Sequence, residues 1–362
     1  MMMTSVEQEN AVVRRPSLRV FVGDVRIGNG APVVIQSMIR TPLGRVEAAL
    51  DEIRELAVAG CQVVRAALPD PSLLHQFEQV AAESPLPIVA DVHAPIQLAA
   101  DGILAGAAAV RVNPLMPGPL REWSRLAHVA AEHHAVVRVG LNVGRWPSER
   151  TLTAAALVDA VELATERLVQ AGLESIKVSI KATDSWLTIE ANRLLSRRVP
   201  WPVHLGLTES GTAWSGAIRS AATLGILLVE GIGDTIRISL SGRAVDEVLA
   251  ARILLRTLGL RADGVRVTAC PGCGRAHQDV AAAAQWVERE LADLVVGIDV
   301  AVMGCEINGP GEARHADVGI AATKSGWVLF KQGRQVTQLG PNQGPVRLVA
   351  EARHLALARE RR

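Results

Sequence analysis

Short β-branched runs alternate with longer stretches rich in alanine and leucine from residue 32 to about residue 259. Short apolar runs are typical of buried strands, whereas longer stretches with apolar residues at helical spacing are typical of helices. The strand-like runs are Pro32–Ser37, Gln62–Ala67, Pro87–Asp91, Ala109–Asn113, Val136–Asn142, Ser175–Lys181, Val203–Thr208 and Ile226–Glu230. The helical patterns between them include Val46–Ala59, Pro71–Glu83, Thr153–Ala171 and Val245–Leu258. Eight strand–helix units at about 28-residue spacing favour a (β/α)₈ barrel, an α/β fold.

A doubly wound open sheet is the competing arrangement of alternating strands and helices. That fold carries a Gly-x-Gly-x-x-Gly turn after its first strand, and no strand-like run here is followed by one. The barrel is therefore the favoured architecture. Ahead of it, Leu18–Ile27 has the pattern of a hairpin with Gly-Asp at its turn. We expect residues 1–17 to be disordered and the barrel to occupy residues 18–262.

Residues 263–362 have a different pattern, that of a small α+β domain. The predicted elements are strands over Val265–Thr268 and Gly297–Met303, helices over Gln278–Leu291 and Pro345–Arg361, and a hairpin over Gly326–Val336. Both strands lead into turns that contain cysteine. We therefore expect these turns to converge at one end of the domain.

Length and composition narrow the function classes. At 362 residues the chain suits a barrel of about 250 residues with a small second module. A formal net charge of +1 gives no sign of a nucleic-acid or membrane partner. The sequence contains no apolar run of about 18 residues to span a bilayer, and its polar start has no signal-peptide pattern. Four cysteines do not make a disulfide scaffold, so we expect a cytoplasmic protein with free thiolates.

Polar side chains cluster where the barrel strands end. The carboxyl ends of all strands of a barrel meet at one mouth, where barrel enzymes keep their sites. A single arginine there is usually a solvated rim charge, and a single histidine is usually structural. Repeated basic residues are harder to explain this way, because burying them is costly unless an anion compensates, and arginine forks match phosphate oxygens. We expect a small, doubly phosphorylated substrate. The residues are Arg65, Asp91, His93, Arg111, Asn113, Arg138, Asn142, Lys177, Ser179, Lys181, His204, Thr208, Glu209, Arg237 and Ser239.

Three cysteines indicate a metal centre in the second domain. Cys270 and Cys273 form a Cys-x-x-Cys pair, and Cys305 follows the second predicted strand. Three sulfur ligands leave one position for a weaker ligand or a substrate, which is typical of catalytic rather than structural centres. We interpret them as ligands of an iron–sulfur cluster. Zinc is the alternative, because Cys-x-x-Cys also occurs in zinc ribbons, and His277 or His315 would then be the fourth ligand.

The turn after Cys305 supplies a candidate fourth ligand. Glu312 is the nearest anionic side chain past Gly309-Pro-Gly311, and the glycines there allow the backbone to approach a cluster closely. Backbone N–H groups in such a loop can bond to cluster sulfurs and tune the potential. The alternative interpretation makes Glu312 a helix-start or surface residue.

Several sequence blocks carry a family resemblance that covers nearly the whole chain. The blocks are Val33-Val-Ile-Gln-Ser-Met38, Ala90-Asp-Val-His93, Val110-Arg-Val-Asn-Pro114, Arg138-Val-Gly-Leu-Asn142, Lys177-Val-Ser-Ile-Lys181, His204-Leu-Gly-Leu-Thr-Glu209, Glu230-Gly-Ile-Gly-Asp-Thr-Ile-Arg237 and Met303-Gly-Cys-Glu-Ile-Asn-Gly-Pro-Gly-Glu312. Each block alone is weak, but this many in order are highly specific. The sequence resembles the 4-hydroxy-3-methylbut-2-enyl diphosphate synthases of the methylerythritol phosphate isoprenoid pathway.

The resemblance implies a fold, a cofactor and a reaction. It implies a (β/α)₈ barrel followed by a [4Fe–4S] domain, in a homodimer whose cluster domain caps the barrel of the other subunit. The reaction is the reductive ring opening of 2-C-methyl-D-erythritol 2,4-cyclodiphosphate, with loss of water, to the allylic diphosphate. Flavodoxin or ferredoxin would supply the two electrons.

The resemblance also implies residue roles. Cys270, Cys273 and Cys305 would bind three irons, and Glu312 the fourth until substrate displaces it. The candidates for binding the diphosphate, directly or by surrounding hydrogen bonds, are Arg65, Arg111, Asn113, Arg138, Asn142, Lys177, Ser179, Lys181 and Ser239. The candidates for orienting hydroxyl groups or relaying protons are Asp91, His93, His204 and Glu209.

The segment after Gln-Ser-Met departs from the family pattern. After Gln-Ser-Met the family is rich in threonine, whereas this chain has Ile39-Arg40-Thr41-Pro42. This loop lies at the predicted barrel mouth, so Arg40 is placed to touch the substrate or to change which substrate binds. The alternative function is therefore a diverged paralogue with the same cluster that acts on a related diphosphate.

Overall fold

The computed structural model describes residues 12–93, 95–305, 311 and 315–361. Glu312, the expected fourth cluster ligand, lies outside these residues. The chain divides between residues 261 and 262 into two compact units. No helix in the described ranges is long and apolar enough to cross a membrane.

The first unit alternates strands and helices. It opens with a hairpin of β1 (Val20–Val22) and β2 (Val25–Ile27). The strands that follow are β3 (Val34–Met38), β4 (Val63–Ala67), β5 (Ile88–Asp91), β6 (Ala109–Val112), β7 (Val136–Asn142), β8 (Ile176–Lys181), β9 (His204–Leu205) and β10 (Thr235–Ile236). The helices are α1 (Val46–Val58), α2 (Leu74–Glu83), α3 (Gln97–Leu104), α4 (Leu120–Glu132), α5 (Ala154–Gln170), α6 (Ser185–Arg198), α7 (Ala213–Val229) and α8 (Ala244–Thr257).

The strands of this unit form a nearly closed parallel barrel. Their order is β8-β7-β6-β5-β4-β3-β10-β9, and every neighbouring pair is parallel. A parallel bridge between Val178 and Val203 links β8 to the residue just before β9 and so joins the two ends of the sheet. The (β/α)₈ prediction is therefore confirmed.

The prediction for the eighth strand was wrong. Ile226–Glu230 is not a strand: all but its last residue belong to α7, whose apolar face includes the buried Leu224, Leu227 and Leu228. A short apolar run cannot by itself distinguish a buried strand from the end of a buried helix. The eighth strand is β10, which follows two glycines with positive φ, Gly231 and Gly233.

The barrel interior is apolar at its amino end and polar above. Val34, Val63, Val89, Ala109 and Val136, from five successive strands, pack against Val20, Val22 and Ile27 of the β1–β2 hairpin, which closes the floor of the barrel. Strand side chains alternate between the two faces of a sheet. The next inward positions therefore carry the polar residues of the candidate site, while the outward positions pack against the helices.

The described residues ahead of the β1–β2 hairpin bind to the barrel through two arginines. Arg14 pairs with Asp234 at 3.2 Å and also donates to the carbonyl of Gly233 at 2.6 Å. Arg15 donates to the carbonyls of Ser196 and Val199. These residues belong to the segment that we expected to be disordered, whose first 11 residues lie outside the described part of the chain.

The second unit is a five-stranded mixed sheet with helices. Its elements are β11 (Val265–Ala269), α9 (Val280–Glu290), β12 (Ile298–Met303), β13 (Val318–Thr323), β14 (Gly326–Lys331), β15 (Arg334–Leu339) and α10 (Gly344–Glu360). Strands β11, β12 and β13 are parallel, and β14 and β15 continue the sheet antiparallel. The core includes Val287, Val300, Ile320, Leu329 and Leu348. The α+β prediction is confirmed, although β13 was not foreseen.

Candidate active site

Three basic side chains stand side by side inside the barrel. Arg111 on β6 is in register with Arg138 on β7, and Arg138 is in register with Lys177 on β8. Residues in register on parallel strands point to the same face of the sheet. None of the three is more than 2% exposed, so their charges lie in the interior rather than on the rim.

The carboxylate of Asp91 partly balances this array. Asp91 at the end of β5 lies 3.8 Å from Arg65, 3.5 Å from Arg111 and 3.3 Å from His93. Burial alone would raise the pKa of the Asp91 carboxyl. Arg65, His93 and Arg111 outweigh burial and hold that pKa well below its usual range. Asp91 is therefore ionised and orients its cationic neighbours.

The deeper cations are not fully compensated. Burial, followed by repulsion from Arg65 and Arg111, lowers the pKa of Arg138, and Nε of Arg138 has no hydrogen-bond partner among the described residues. Burial and the neighbouring Arg138 also lower the pKa of Lys177, to about 7. Buried charges that lack partners are costly, and a bound anion would remove this cost.

Lys181 and His204 form a buried polar chain. Lys181 Nζ lies 2.9 Å from His204 Nε2, and His204 Nδ1 lies 2.8 Å from Thr235 Oγ1. Burial, followed by the positive charge of Lys181, lowers the pKa of His204 well below its ordinary value. A neutral imidazole with its proton on Nδ1 satisfies both contacts, because it donates to Thr235 and accepts from Lys181.

Two glycines make room for these side chains. A Cβ atom at Gly206 would lie 2.5 Å from Lys181 Nζ and 2.9 Å from the carbonyl oxygen of Arg237. A Cβ atom at Gly140 would lie 2.9 Å from Ser179 Oγ and 3.1 Å from Arg111 Nε. Neither glycine has a positive φ, so their role here is to give space and not to form a turn.

A cavity of about 460 Å³ opens at the carboxyl end of the strands. Of the expected site residues, Arg65, Asn142, Lys181, Glu209 and Ser239 line it. Its lining also includes Thr208 and Arg237 of the predicted strand-end cluster and Arg40 of the predicted mouth loop. Ser210 and Glu247 line it as well and were not predicted. The remaining candidates do not line this cavity; they are Asp91, His93, Arg111, Asn113, Arg138, Lys177, Ser179 and His204.

Some candidates have structural partners of their own. Asn113 Oδ1 accepts a hydrogen bond from the N–H of Leu115 at 2.9 Å, an arrangement that shapes the turn after β6. Glu209 is exposed at the rim and has a φ of +51°. Ser239 contributes its carbonyl, which accepts a hydrogen bond from Ser210 Oγ.

Glu247 is a site residue that sequence reasoning missed. It lies on α8 and is 2% exposed, with Arg40 Nη2 at 3.0 Å and Arg237 Nε at 3.3 Å. It also accepts hydrogen bonds from Ser37 Oγ at 3.2 Å and from the N–H of Leu240 at 3.1 Å. The signal available in the sequence was an acidic residue on the apolar face of a predicted helix. The carboxylate anchors two arginines of the mouth.

In the second unit the three cysteines line one cavity of about 380 Å³. Cys270 follows β11 and Cys305 follows β12, and these strands are parallel neighbours. The N–H of Gly304 donates to Cys270 Sγ at 3.1 Å, and the N–H of His277 donates to the carbonyl of Gly304 at 3.1 Å. These bonds tie the Cys270–Cys273 loop to the turn that bears Cys305.

The donor set of this cavity fits an iron–sulfur cluster. An iron–sulfur cluster takes about one thiolate per iron, so its ligands do not have to converge on one point. Cys270, Cys273 and Cys305 place three thiols around this cavity, which suits three irons of such a cluster. Arg275 beside the cavity hydrogen-bonds to Cys273, through its backbone and side chain, and lowers the pKa of that thiol.

Family comparisons cover both units. The GcpE TIM-barrel domain matches residues 17–252, and the GcpE protein C-terminal domain matches residues 266–354. The chain belongs to the GcpE family. It is 42% identical over 337 residues to a 4-hydroxy-3-methylbut-2-en-1-yl diphosphate synthase (flavodoxin) of Natranaerobius thermophilus, covering 91% of this chain and 94% of that one. The synthase of Geobacter sulfurreducens is 40% identical over 335 residues, covering 91% and 95%.

Solved structures support the barrel architecture of this GcpE member. Dihydropteroate synthase from Stenotrophomonas maltophilia covers 67% of the chain with a TM-score of 0.50 at 13% identity, and 98% of that structure is covered. The Xanthomonas albilineans enzyme gives the same coverage and TM-score at 15% identity. At these identities the likeness concerns the fold alone.

Proposed function

We propose that the chain is an iron–sulfur oxidoreductase that converts 2-C-methyl-D-erythritol 2,4-cyclodiphosphate to 4-hydroxy-3-methylbut-2-enyl diphosphate. The reaction takes up two electrons together with the protons that form the released water, and it belongs to isoprenoid precursor biosynthesis. The observation that carries this proposal is the under-compensated basic interior of the barrel, Arg111, Arg138 and Lys177 in register, in a chain of the GcpE family. An anionic substrate supplies the missing negative charge.

The barrel binds and orients the diphosphate. Lys181, Arg65 and Arg237 line the mouth cavity and would contact phosphate oxygens, with Asn142 and Ser239 hydrogen-bonding around them. The deeper Arg111, Arg138 and Lys177 extend the positive field below the cavity. Ser179 offers a hydroxyl group beside them, and Asn113 shapes the turn after β6. Since the array is held in place before substrate arrives, little reorganisation is needed on binding.

Three polar side chains near the array have different roles. Asp91 stays ionised and positions Arg65, Arg111 and His93. His204 stays neutral and holds Lys181 by accepting its hydrogen bond. Glu209 stands exposed on the rim of the mouth, where it can exchange protons between bulk water and a bound substrate.

Cys270, Cys273 and Cys305 would hold a [4Fe–4S] cluster, with Glu312 as the fourth ligand. When bound, the cluster would relay the donor's two electrons one at a time and would offer a Lewis-acidic iron. The N–H of Gly304, 3.1 Å from Cys270 Sγ, would stabilise negative charge on that sulfur. Arg275 adds a positive charge beside Cys273, and both contacts favour acceptance of an electron.

The electron donor and the assembly complete the proposal. Relatives carry flavodoxin in their names, so a flavodoxin is the proposed donor, with ferredoxin as the substitute. We also propose a cytoplasmic homodimer, in which the cluster domain of one chain would cap the barrel of the other. Mixing a Cys305→Ser chain with a Lys181→Met chain tests this. In a hybrid dimer, the intact barrel of the first chain would meet the intact cysteine cavity of the second, and activity would return.

Affinity for diphosphates tests whether the chain is an enzyme of this class. We expect the cluster-loaded protein to bind the cyclodiphosphate, with pyrophosphate as competitor, in anaerobic calorimetry. An iron–sulfur or zinc binding module with a vestigial barrel would bind neither. Absence of binding by the cluster-loaded protein would refute the enzymatic proposal.

A further inference from the structure

Arg40 is the most exposed of the cations that line the barrel mouth. Its side chain is 42% exposed, compared with 13% for Arg65 and 15% for Arg237. All three line the same cavity. Arg65 and Arg237, the inner cations, are nearly buried in the barrel, whereas Arg40 lies at the outer edge of the cavity.

The guanidinium of Arg40 is held by one nitrogen only. Nη2 donates to the carbonyl of Leu240 at 2.7 Å and to Glu247 at 3.0 Å. Over the ranges that the structure describes, Nε and Nη1 of Arg40 make no hydrogen bond. Both parallel N–H pairs of a guanidinium include Nη2, which is engaged here, so Nε and Nη1 are each placed to give a phosphate oxygen a single charge-assisted hydrogen bond.

The backbone of the segment is fixed, so the position of this guanidinium is built into the fold. The Glu52 carboxylate accepts hydrogen bonds from the N–H of Arg40 at 3.1 Å and from the N–H of Thr41 at 2.9 Å. Glu52 lies on α1, which connects the loop to the barrel wall.

The local charges leave a surplus that suits a second phosphoryl group. Glu247 contacts both Arg40 and Arg237, at 3.0 Å and 3.3 Å. The cavity lining sets two carboxylates, Glu209 and Glu247, against the basic side chains of Arg40, Arg65, Lys181 and Arg237. A monophosphate seated on the inner cations would leave Arg40 unused. A diphosphate is longer and would bring its outer phosphoryl group to Arg40.

We infer that Arg40 binds the outer phosphoryl group of the substrate and makes the mouth select diphosphates over monophosphates. This inference rests on the proposed function and adds a specificity-determining residue to it. It also gives a physical role to the segment in which this chain departs from the threonine-rich pattern.

Calorimetry on the full chain tests the inference with two inorganic probes, pyrophosphate and orthophosphate. Arg40→Ala should weaken pyrophosphate binding by about tenfold or more, because charge-assisted hydrogen bonds are lost, and should change orthophosphate binding by less than about threefold. Arg40→Lys should be intermediate for pyrophosphate, because lysine keeps the positive charge beside Glu247 but has one nitrogen, in place of three, to share between Glu247 and a phosphate oxygen.

Arg243→Ala is the matched control. Arg243 is 72% exposed, lies 3.9 Å from Glu55 and does not line the cavity, so its removal should leave both affinities unchanged. If Arg40→Ala does not fold, judged by circular dichroism, Arg40→Gln takes its place.

The outcomes separate the inference from the function on which it rests. Wild-type protein that binds pyrophosphate, with an Arg40 variant of equal affinity, overturns the inference alone. If the Arg40→Ala change weakens the binding of pyrophosphate and of orthophosphate equally, the selectivity is overturned and Arg40 acts only as a nonselective positive charge. Wild-type protein that binds neither anion overturns the diphosphate site and with it the proposed function.

Discussion

The backbone of Gly206 packs directly against the ammonium group of Lys181. A Cβ atom at position 206 would lie 2.5 Å from Lys181 Nζ, closer than side-chain atoms pack in folded proteins, and 2.9 Å from the carbonyl oxygen of Arg237. Gly206 is the residue directly after β9. The absence of a side chain there allows a lysine ammonium to occupy the barrel interior beside His204.

Gly206→Ala should therefore displace Lys181 from the mouth. We expect pyrophosphate affinity to fall by about tenfold or more, because a charge-assisted contact is lost or misplaced. Gly44→Ala is the control, since a Cβ atom there meets no atom within 4 Å and Gly44 has no positive φ. Equal affinities of the Gly206→Ala protein and wild type would show that Lys181 does not contact the anion.

We predict that Lys177 takes up a proton when an anion binds. Burial and then Arg138 lower its pKa to about 7, so at pH 8 the lysine is mostly neutral in the free protein. A bound anion favours the charged form and raises the pKa, so binding at pH 8 takes up protons and affinity falls as pH rises from 7 to 9. Lys181, whose pKa is also lowered, contributes in the same direction.

Calorimetry in two buffers of different ionisation enthalpy measures this uptake. Lys177→Met should reduce the number of protons taken up at pH 8 and flatten the fall in affinity. Lys324→Met, at an exposed turn of the second unit, should behave as wild type. Unchanged uptake in the Lys177→Met protein would mean that another group titrates.

Cys305→Ser tests the cluster ligands. We expect the visible absorbance of the reconstituted cluster and the reductase activity to be lost, while far-ultraviolet circular dichroism shows the barrel still folded. Cys61→Ala is the control, because Cys61 is buried in the barrel core and should leave the absorbance unchanged. Full absorbance in the Cys305→Ser protein would contradict the ligand assignment.

Glu312→Ala tests the fourth ligand, a residue outside the described part of the chain. Loss of its carboxylate should leave most of the cluster absorbance but change the electron paramagnetic resonance spectrum and increase sensitivity to oxygen. Glu312→Asp, which retains a carboxylate, should lie closer to wild type. A wild-type spectrum for Glu312→Ala would remove Glu312 from the coordination shell.

The sequence predicted the barrel well wherever strands were long enough to show a period of two. On β6, β7 and β8, alternation places Arg111, Arg138 and Lys177 on the inward face, whereas their common register comes from the way the strands pair in the folded barrel. The cysteine turns were predictable for a similar reason, because each follows a recognisable strand.

Other features depend on contacts that local patterns do not encode. Strand β10 has two residues, too few to show a period, and the apolar end of α7 was assigned in its place. Strand β13 contains Gly319, Ala321 and Ala322 and so lacks a continuous β-branched pattern. Glu247 pairs with Arg40, 207 residues away along the chain, and only the folded barrel brings them together.

An anaerobic turnover assay on reconstituted protein tests the central claim most directly. Purified cyclodiphosphate and a chemical reductant are supplied, and the product is identified by mass spectrometry while reductant consumption is followed. We predict one hydroxymethylbutenyl diphosphate formed for every two electrons consumed. A fully loaded cluster that is reduced without forming this product would contradict the assignment and favour a diverged paralogue, with Arg40 the first residue to replace.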